Sequence, residues 1–143
     1  MTSDENDSER IARLLESAKT IAVVGIKDQP NEDAFQVPQY MQQAGYRILP
    51  VNPKHASVLG EPCRANLSKV DQNIDIVNLF RASEHIPAHL DEILALDPSP
   101  KGVWMQLGIS HGPSAQRLRQ AGIEVIQNRC IMVDHRRLLG VGQ

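Results

Sequence analysis

Cationic and amide residues that could hold an anionic ligand follow directly after short apolar runs of this chain. Lys27 follows one such run, Lys54 follows the next, and Arg81 follows a third. A lysine or arginine pairs strongly with a phosphate, and a glycine lets backbone N–H groups approach one closely. The candidate binding residues that we select on this basis are Gly25, Ile26, Lys27, Asn52, Pro53, Lys54, Phe80, Arg81, Met105, Gln106, Gly108, Asn128 and Cys130.

The stretch after the first apolar run does not have the pattern of a nicotinamide or flavin dinucleotide site. Such a site needs glycines spaced as G-x-G-x-x-G, and this stretch has Gly25 alone. At the end of the second strand, NAD-binding proteins place an Asp or Glu against the ribose hydroxyls, whereas this chain has Lys54. A cation suits a phosphorylated ribose. Since coenzyme A and NADP both carry one, charge alone leaves both ligands open.

The turn between Gly25 and the next helical pattern is long, about ten residues against the roughly 2–6 that are usual. It has room for a phosphate beside backbone N–H donors, and the following helix would direct its positive end at the anion. The simpler alternatives are that Gly25 merely ends a strand and that Lys54 is an ordinary solvated lysine.

The elements that must position these residues are alternating strands and helices. Five short apolar runs, often β-branched, indicate strands at residues 21–25, 47–51, 75–80, 102–107 and 124–127. Their continuous apolarity is typical of strands that are covered on both faces. Alternation with helices implies right-handed βαβ units, whose carboxyl edge collects ligand-binding residues. We therefore predict an α/β fold: a doubly wound parallel sheet of about five strands, flanked by helices, in a single domain over residues 1–143.

Helical spacing of apolar residues accounts for most of the chain between these strands. Pro38 and Pro87 are each expected in the first turn of a helix, where a proline is tolerated, and Ser83 is a candidate cap. Residues 54–73 are predicted as a loop with a short helix near Leu67. The first helix belongs to an N-terminal segment, residues 1–18, that precedes the core. The four predicted helices cover residues 8–18, 35–45, 83–97 and 113–122.

Composition excludes several classes of protein. The chain has 143 residues, 41% of them hydrophobic and 22% charged, with a formal net charge of -2. This balance is that of a globular domain without the basic excess of nucleic-acid-binding proteins. No apolar run approaches the ~18 residues that cross a membrane, and the N-terminus is polar and acidic, unlike a secretory signal. We expect a cytoplasmic monomer or weak homodimer with no nucleic-acid or membrane partner, and Cys63 and Cys130 as unbonded thiols.

Several segments at the predicted strand ends resemble one known family. They are residues 51–54 (VNPK), 75–81 (DIVNLFR), 103–109 (VWMQLGI), 128–130 (NRC) and 135–137 (HRR). In them the chain resembles, from about residue 21 to residue 137, the CoA-binding domain family, the stand-alone relatives of the N-terminal domain of the succinyl-CoA synthetase α-subunit. The resemblance implies a Rossmann-like sheet with coenzyme A across the carboxyl ends of its strands.

The same resemblance implies roles for individual residues. The Gly25 turn would contact the pyrophosphate, Lys54 would pair with a phosphate, and residues 80–81 with residues 105–106 would line the path of the adenosine and pantetheine. Glu32 departs from the family pattern, because family members often carry a basic or hydroxyl residue there, and its carboxylate would repel a phosphate. The phosphohistidine of the synthetase belongs to a second domain that we do not expect here, so ligase chemistry is not implied.

Two further residue pairs allow chemistry of other kinds. His85 and His89 are spaced i, i+4 on a predicted helix, as two metal ligands would be, but a solvated or capping role is the simpler interpretation. Cys130 and His135 could form a nucleophile and its base, although a spacing of five residues sets no geometry and an inert thiol is the alternative.

Three hypotheses of function follow from these observations. The first is noncovalent binding of a small-molecule nucleotide ligand, coenzyme A or acyl-CoA, without catalysis by the chain itself. The second is an NADP-linked oxidoreductase or nucleotide-sensing regulator. The third is an interaction protein whose nucleotide site is vestigial. We favour the first, because the missing acid and glycines count against the second and the clustering of Lys54 and Arg81 counts against the third.

Overall fold

The computed structural model describes residues 3–140 as one α/β domain. Seven strands are present there: β1 Thr20–Val24, β2 Arg47–Val51, β3 Ser57–Val58, β4 Glu61–Pro62, β5 Ile76–Leu79, β6 Gly102–Met105 and β7 Glu124–Ile126. Five α-helices accompany them: α1 Ser3–Ser17, α2 Asp33–Gln43, α3 Leu90–Leu94, α4 Gly112–Gln120 and α5 Ile131–Leu139. Two 3₁₀ segments lie at Leu67–Lys69 and Ser83–His89.

Five of the strands form one parallel sheet in the order β2-β1-β5-β6-β7, which confirms the predicted doubly wound, Rossmann-like architecture. The chain builds outward from β1 to β2, then crosses back over β1 to place β5 on its other side. The strand order therefore reverses between β1 and β5. In an open parallel sheet, this switch point opens a crevice at the carboxyl ends of the strands.

Both faces of the sheet are covered, which explains the continuous apolarity of its strands. Along β1, Ile21 and Val23 pack in a layer with α1, α2 and α5, whereas Ala22 and Val24 pack in the opposite layer with α3 and α4. Trp104 on β6 is fully buried in the first layer, and its indole N–H donates to the Arg129 carbonyl at 2.8 Å. No helix within residues 3–140 is long and apolar enough to cross a bilayer.

The prediction that Pro38 lies in a first turn is wrong, because α2 begins at Asp33 and the proline falls in its interior. A proline has no N–H to donate to the carbonyl four residues earlier, here that of Ala34. The backbone N–H of Lys27 donates to this carbonyl instead, at 3.2 Å. The proline is accommodated, and the carbonyl that it leaves vacant ties the turn after β1 to α2.

The predicted helix at residues 83–97 is also different in the structure. It is a 3₁₀ segment, Ser83–His89, followed by the short helix α3, which ends at Leu94. Ser83 does not cap it: the hydroxyl oxygen of Ser83 accepts a hydrogen bond from the backbone N–H of Ser110 at 3.0 Å. Pro87 lies inside the 3₁₀ segment, well away from the start that we predicted.

The other predicted helices are present with shifted boundaries. The N-terminal helix is present as α1 and begins earlier than predicted, and the helix that opens at Pro113 is α4. A short helix at Leu67 is confirmed as a 3₁₀ turn. Residues 1–2 and 141–143 of the predicted domain lie outside the described residues.

Two elements were not predicted. The hairpin of β3 and β4 turns through Leu59 and Gly60, both at positive φ (56° and 78°), as in a type I′ turn, which a leucine rarely starts. Helix α5 was missed because it contains a fully buried carboxylate, Asp134, which breaks its apolar pattern. That carboxylate accepts two hydrogen bonds from the Arg129 guanidinium, at 2.7 and 2.8 Å, and one from Arg137 at 3.3 Å.

Candidate functional site

A cavity of about 620 Å³ lies at the carboxyl ends of β1, β2 and β5, beside the switch point of the sheet. We call it the nucleotide cavity, after the ligand that the sequence predicts for it. It brings together residues that are distant in sequence but were all selected from their positions after strands. The predicted residues that line it are Gly25, Lys27, Asn52, Pro53, Lys54, Phe80 and Arg81.

Gly25 lets three strand ends meet closely at the base of this cavity. Its φ is +86°, and a Cβ atom there would lie 2.7 Å from the carbonyl oxygen of Phe80 and 3.2 Å from Cδ of Arg81. The Gly25 N–H donates to the Val51 carbonyl at 3.0 Å, and the Phe80 N–H donates to the Val24 carbonyl at 2.9 Å. The ends of β1, β2 and β5 are thus fastened together around a position that accepts glycine alone without rearrangement.

Asn52 holds the turn after β2 against the turn after β1. Its side-chain amide donates to the carbonyl of Ile26 at 2.7 Å, and its side-chain oxygen accepts a hydrogen bond from the backbone N–H of Lys54 at 2.8 Å. Both polar atoms of the side chain are therefore used within the protein. This geometry indicates that Asn52 sets the conformation of the turn after β2, from which Lys54 reaches the cavity.

The cations of the nucleotide cavity differ in their pairing. Lys27 forms an ion pair with Glu32, with 3.1 Å between Nζ and Oε2, so the carboxylate that departs from the family pattern is neutralised by its neighbour. Lys54 and Arg81 have exposed side chains that form no ion pair or hydrogen bond with any residue in the described part of the chain. Two uncompensated positive charges therefore face the cavity.

His89 and Glu92 form another wall of this cavity. The Nδ1 atom of His89 lies 3.3 Å from one oxygen of Glu92, whose other oxygen accepts a hydrogen bond from the backbone N–H of Leu67 at 2.9 Å. His85 and His89 do not share a helical face as an i, i+4 pair would, because a 3₁₀ helix repeats every three residues. Within residues 3–140, no three His, Cys, Asp or Glu side chains are grouped to hold a metal ion.

A second cavity, of about 570 Å³, continues from the first along the sheet edge toward β6 and α5. We call it the apolar chamber. It shares Lys27, Glu32, Phe80 and Arg81 with the nucleotide cavity, and it contains the predicted residues Gln106 and Cys130. The large apolar side chains on its wall that were not among the predicted site residues are Val37, Leu107, Ile109, Met132 and Val133.

The buried Gln106 links the chamber to α5. Only 4% of its surface is exposed, and its side-chain oxygen accepts a hydrogen bond from the backbone N–H of Ile131 at 3.0 Å. This bond satisfies an N–H group in the first turn of α5, which would otherwise have no helical partner. Gln106 therefore places the start of α5, and with it Met132 and Val133, against the end of β6.

Four predicted residues do not line either cavity. Ile26 and Met105 are fully buried and lie in opposite core layers. Gly108 and Asn128 form a contact between the turns after β6 and β7, in which the Gly108 N–H donates to the Asn128 side-chain oxygen at 2.6 Å. Ile26 and Met105 therefore belong to the core, and Gly108 and Asn128 hold these two turns together.

The two cysteines are unbonded thiols in different surroundings. Cys130 is half-buried at the start of α5 and faces the apolar chamber, whereas Cys63 lines neither cavity. Burial, with a smaller contribution from Asp28, raises the pKa of the Cys63 thiol. His135, the base that we paired with Cys130, forms a hydrogen bond with the Tyr40 hydroxyl at 2.9 Å, and burial lowers its pKa.

Comparison with known proteins shows that this chain is similar to the members of one family. The family model described as CoA binding domain matches residues 19–136. An uncharacterized protein of Bacillus subtilis, YneT, is 40% identical over 125 residues, which are 87% of this chain and 91% of that protein. The solved structure of cell-free ID.343 from Thermus thermophilus is 40% identical and superposes with a TM-score of 0.87, over 92% of this chain and 98% of that one.

A more distant match is to part of a larger enzyme. The ADP-forming acetate–CoA ligase I of Archaeoglobus fulgidus is 24% identical over 74 residues, which are 52% of this chain and 11% of that enzyme. The matched region is therefore a small portion of the ligase.

Proposed function

This chain belongs to the CoA-binding domain family, and from that premise we propose that it binds coenzyme A noncovalently across the carboxyl ends of β1, β2 and β5, without catalysis of its own. The phosphorylated adenosine and the pyrophosphate would lie in the nucleotide cavity. The pantetheine arm would pass Phe80 and Arg81 toward the apolar chamber, which continues from that cavity.

The observation that carries this proposal is the pair of unneutralised cations, Lys54 and Arg81, on the walls of the cavity that has Gly25 at its base. A cation that has no protein partner beside a ligand cavity is available for a phosphate group. Coenzyme A carries a 3′-phosphate and a pyrophosphate, so it offers anionic groups at more than one place along its length. The proposed arrangement sets Lys54 against the 3′-phosphate and Arg81 against the pyrophosphate.

The absence of catalysis in this proposal is supported by how the candidate catalytic groups are engaged. The imidazole of His135 forms a hydrogen bond with the Tyr40 hydroxyl and makes edge-to-face contacts with the rings of Tyr40 and Tyr46. It is therefore part of an aromatic cluster and is not poised to activate the Cys130 thiol. The match to a ligase covers a small part of that enzyme, and its activity is not carried over here.

The test is calorimetric titration of the full chain with coenzyme A, dephospho-CoA, NAD and NADP. We expect coenzyme A to bind tightest and removal of the 3′-phosphate to weaken binding about tenfold, since a charge-assisted hydrogen bond contributes roughly 1.5–3 kcal/mol. Lys54→Ala is expected to weaken coenzyme A binding by a similar factor and to leave dephospho-CoA binding almost unchanged, because the two changes remove the same contact.

The matched control is Lys69→Ala, which removes an exposed lysine outside the nucleotide cavity and should change no affinity. Equal affinity for NADP and coenzyme A would instead support the NADP-linked enzyme or regulator. No binding of any of the four ligands would contradict a nucleotide site altogether and leave the interaction protein.

A further inference from the structure

The wall of the apolar chamber carries hydrophobic surface that the fold itself does not cover. Of the large apolar side chains in the described part of the chain, two are exposed, Leu107 by 69% and Val133 by 49%. Both lie on this wall, one after β6 and the other in the first turn of α5. Exposed apolar residues that are grouped beside a cavity, and not scattered singly, are typical of a binding surface.

The chamber is continuous with the nucleotide cavity, which limits what could occupy it. Phe80 and Arg81 line both spaces and form the junction between them. A ligand that fills the nucleotide cavity with its phosphates and extends past this junction would bring its far end between Leu107 and Val133. In coenzyme A, the far end is the thiol, and in an acyl-CoA it is the thioester and its acyl chain.

We propose that the chamber is an acyl site and that this protein selects short acyl-CoA thioesters over free coenzyme A; this inference rests on the proposed function. The acyl chain lies against Val37, Leu107, Ile109, Met132 and Val133. Burial of the acyl chain removes apolar surface of both the ligand and the protein from water. When free coenzyme A is bound, the apolar surface of the chamber stays exposed.

The charges around the chamber favour a neutral acyl group. Its two cations in the described chain, Lys27 and Arg81, both lie at the junction, and Lys27 is already paired with Glu32. The rest of the lining contains Asp33 and no lysine or arginine. A carboxylate at the end of an acyl chain would be desolvated there without a cation, which is unfavourable. Butyryl-CoA should therefore bind more tightly than succinyl-CoA, although the two acyl chains are equal in carbon number.

The experiment is titration of the full chain with coenzyme A and with its acetyl, butyryl, hexanoyl and succinyl thioesters. A fully buried methylene raises affinity up to about fourfold, so we expect butyryl-CoA to bind at least tenfold more tightly than coenzyme A. The double variant Leu107→Gln/Val133→Gln should lose most of this gain, whereas its affinity for coenzyme A, which brings only its thiol between these side chains, should fall by much less. Both side chains are exposed, so the fold is expected to tolerate the change.

Lys54→Ala serves as the control, because it should weaken every thioester and coenzyme A by the same factor. Equal affinity for coenzyme A and all its thioesters would overturn the acyl site and leave the proposed function intact, whereas no binding of any of them would contradict the proposed function itself. Sedimentation of the double variant tests a second copy of the chain as the occupant. Conversion of a dimer to a monomer with unchanged acyl selectivity would also overturn the proposal.

Discussion

The two edges of the five-stranded sheet use their polar groups in opposite ways. At the amino edge, the carboxylate of Asp75 accepts hydrogen bonds from the backbone N–H groups of Lys19 and Thr20, at 2.7 and 3.2 Å, and the Lys101 ammonium group donates to the Ser17 carbonyl at 2.8 Å. At the carboxyl edge, Lys54 and Arg81 of the nucleotide cavity have no such partner among residues 3–140. Polar groups that satisfy one another stabilise a fold, and those left without partners are available to a ligand.

The cavities at the two edges show the same contrast. The amino edge has its own cavity of about 410 Å³, between the segment before β5 and the end of α3. Its lining includes the carboxylates of Asp71 and Asp97, together with Glu92, which also lines the nucleotide cavity, and contains no lysine or arginine. Space alone therefore does not make a phosphate site: the cavity must also carry the right charge, and of these two cavities only the one at the carboxyl edge is lined by lysine and arginine.

The largest effect that we predict comes from substituting Gly25, at the base of the nucleotide cavity. Gly25→Ala forces a side chain to within 2.7 Å of the Phe80 carbonyl oxygen at a positive φ, and we expect it to lower the free energy of unfolding by about 3 kcal/mol and to abolish coenzyme A binding. Gly122→Ala is the control, because Gly122 has nearly the same φ, +84°, and nothing within 4 Å of the added Cβ.

The control substitution should cost about 1 kcal/mol, for the backbone conformation alone, and leave binding unchanged. Urea denaturation and calorimetry measure the two effects. Equal losses of stability for the two variants would show that the close approach of Gly25 to β5 is unimportant.

The next largest effect comes from a substitution at the amino edge, which should lower stability and leave binding unchanged. Asp75→Ala removes the acceptor for two backbone N–H groups and should lower the free energy of unfolding by about 2 kcal/mol. The dissociation constant of coenzyme A for the folded variant should not change. Asp71→Ala, an exposed residue near the same edge, is expected to be neutral to within about 0.5 kcal/mol. A weakened affinity in Asp75→Ala would mean that the two edges are coupled.

A tyrosine at the amino edge should also make the free energy of unfolding fall at high pH. Tyr46, just before β2, is buried and donates its hydroxyl to the Leu15 carbonyl at 2.6 Å, and burial, with Tyr40 and Glu16, raises its pKa from 10.0 to about 12. The unfolded chain therefore loses this proton first. The stabilisation is complete below pH 10 and is lost as the pH rises to about 12.

We expect this loss to be on the order of 1–2 kcal/mol, measured by urea denaturation across that pH range. Tyr46→Phe should be less stable at neutral pH and should show a flatter dependence between pH 10 and 12. An unchanged slope in this variant would assign the pH dependence to other groups.

The smallest effect compares one arginine from each edge. Arg81→Gln should weaken coenzyme A binding about tenfold, ~1.4 kcal/mol, and change stability by less than about 0.5 kcal/mol. Arg10→Gln removes ion pairs with Glu124 and Asp7, both at 2.6 Å, and should cost up to about 1 kcal/mol of stability with no effect on binding. If Arg81→Gln lost stability and kept its affinity, the carboxyl edge would not be a binding edge.

Much of the site could be predicted from the sequence, because residues that directly follow the strands of a parallel sheet all lie at the same edge of that sheet. Gly25, Lys54 and Arg81 each follow a strand, and the ends of parallel strands meet at the same side of the sheet. The interior position of Pro38 could not be predicted, because the helix tolerates it through a hydrogen bond from a distant backbone group, that of Lys27. Local pattern contains no information about such partners.

The sequence by itself determined the class of fold, the strands and the cations at their ends, since these depend on local apolarity and on the order of elements along the chain. Only the tertiary structure decided which strand ends flank the switch point, which cations remain unpaired, and that α5 closes an apolar chamber beside the nucleotide cavity. Those properties depend on contacts between distant segments, such as the bond from Ile131 to Gln106 and the pairing of Asp134 with Arg129. Such contacts exist only once the chain has packed.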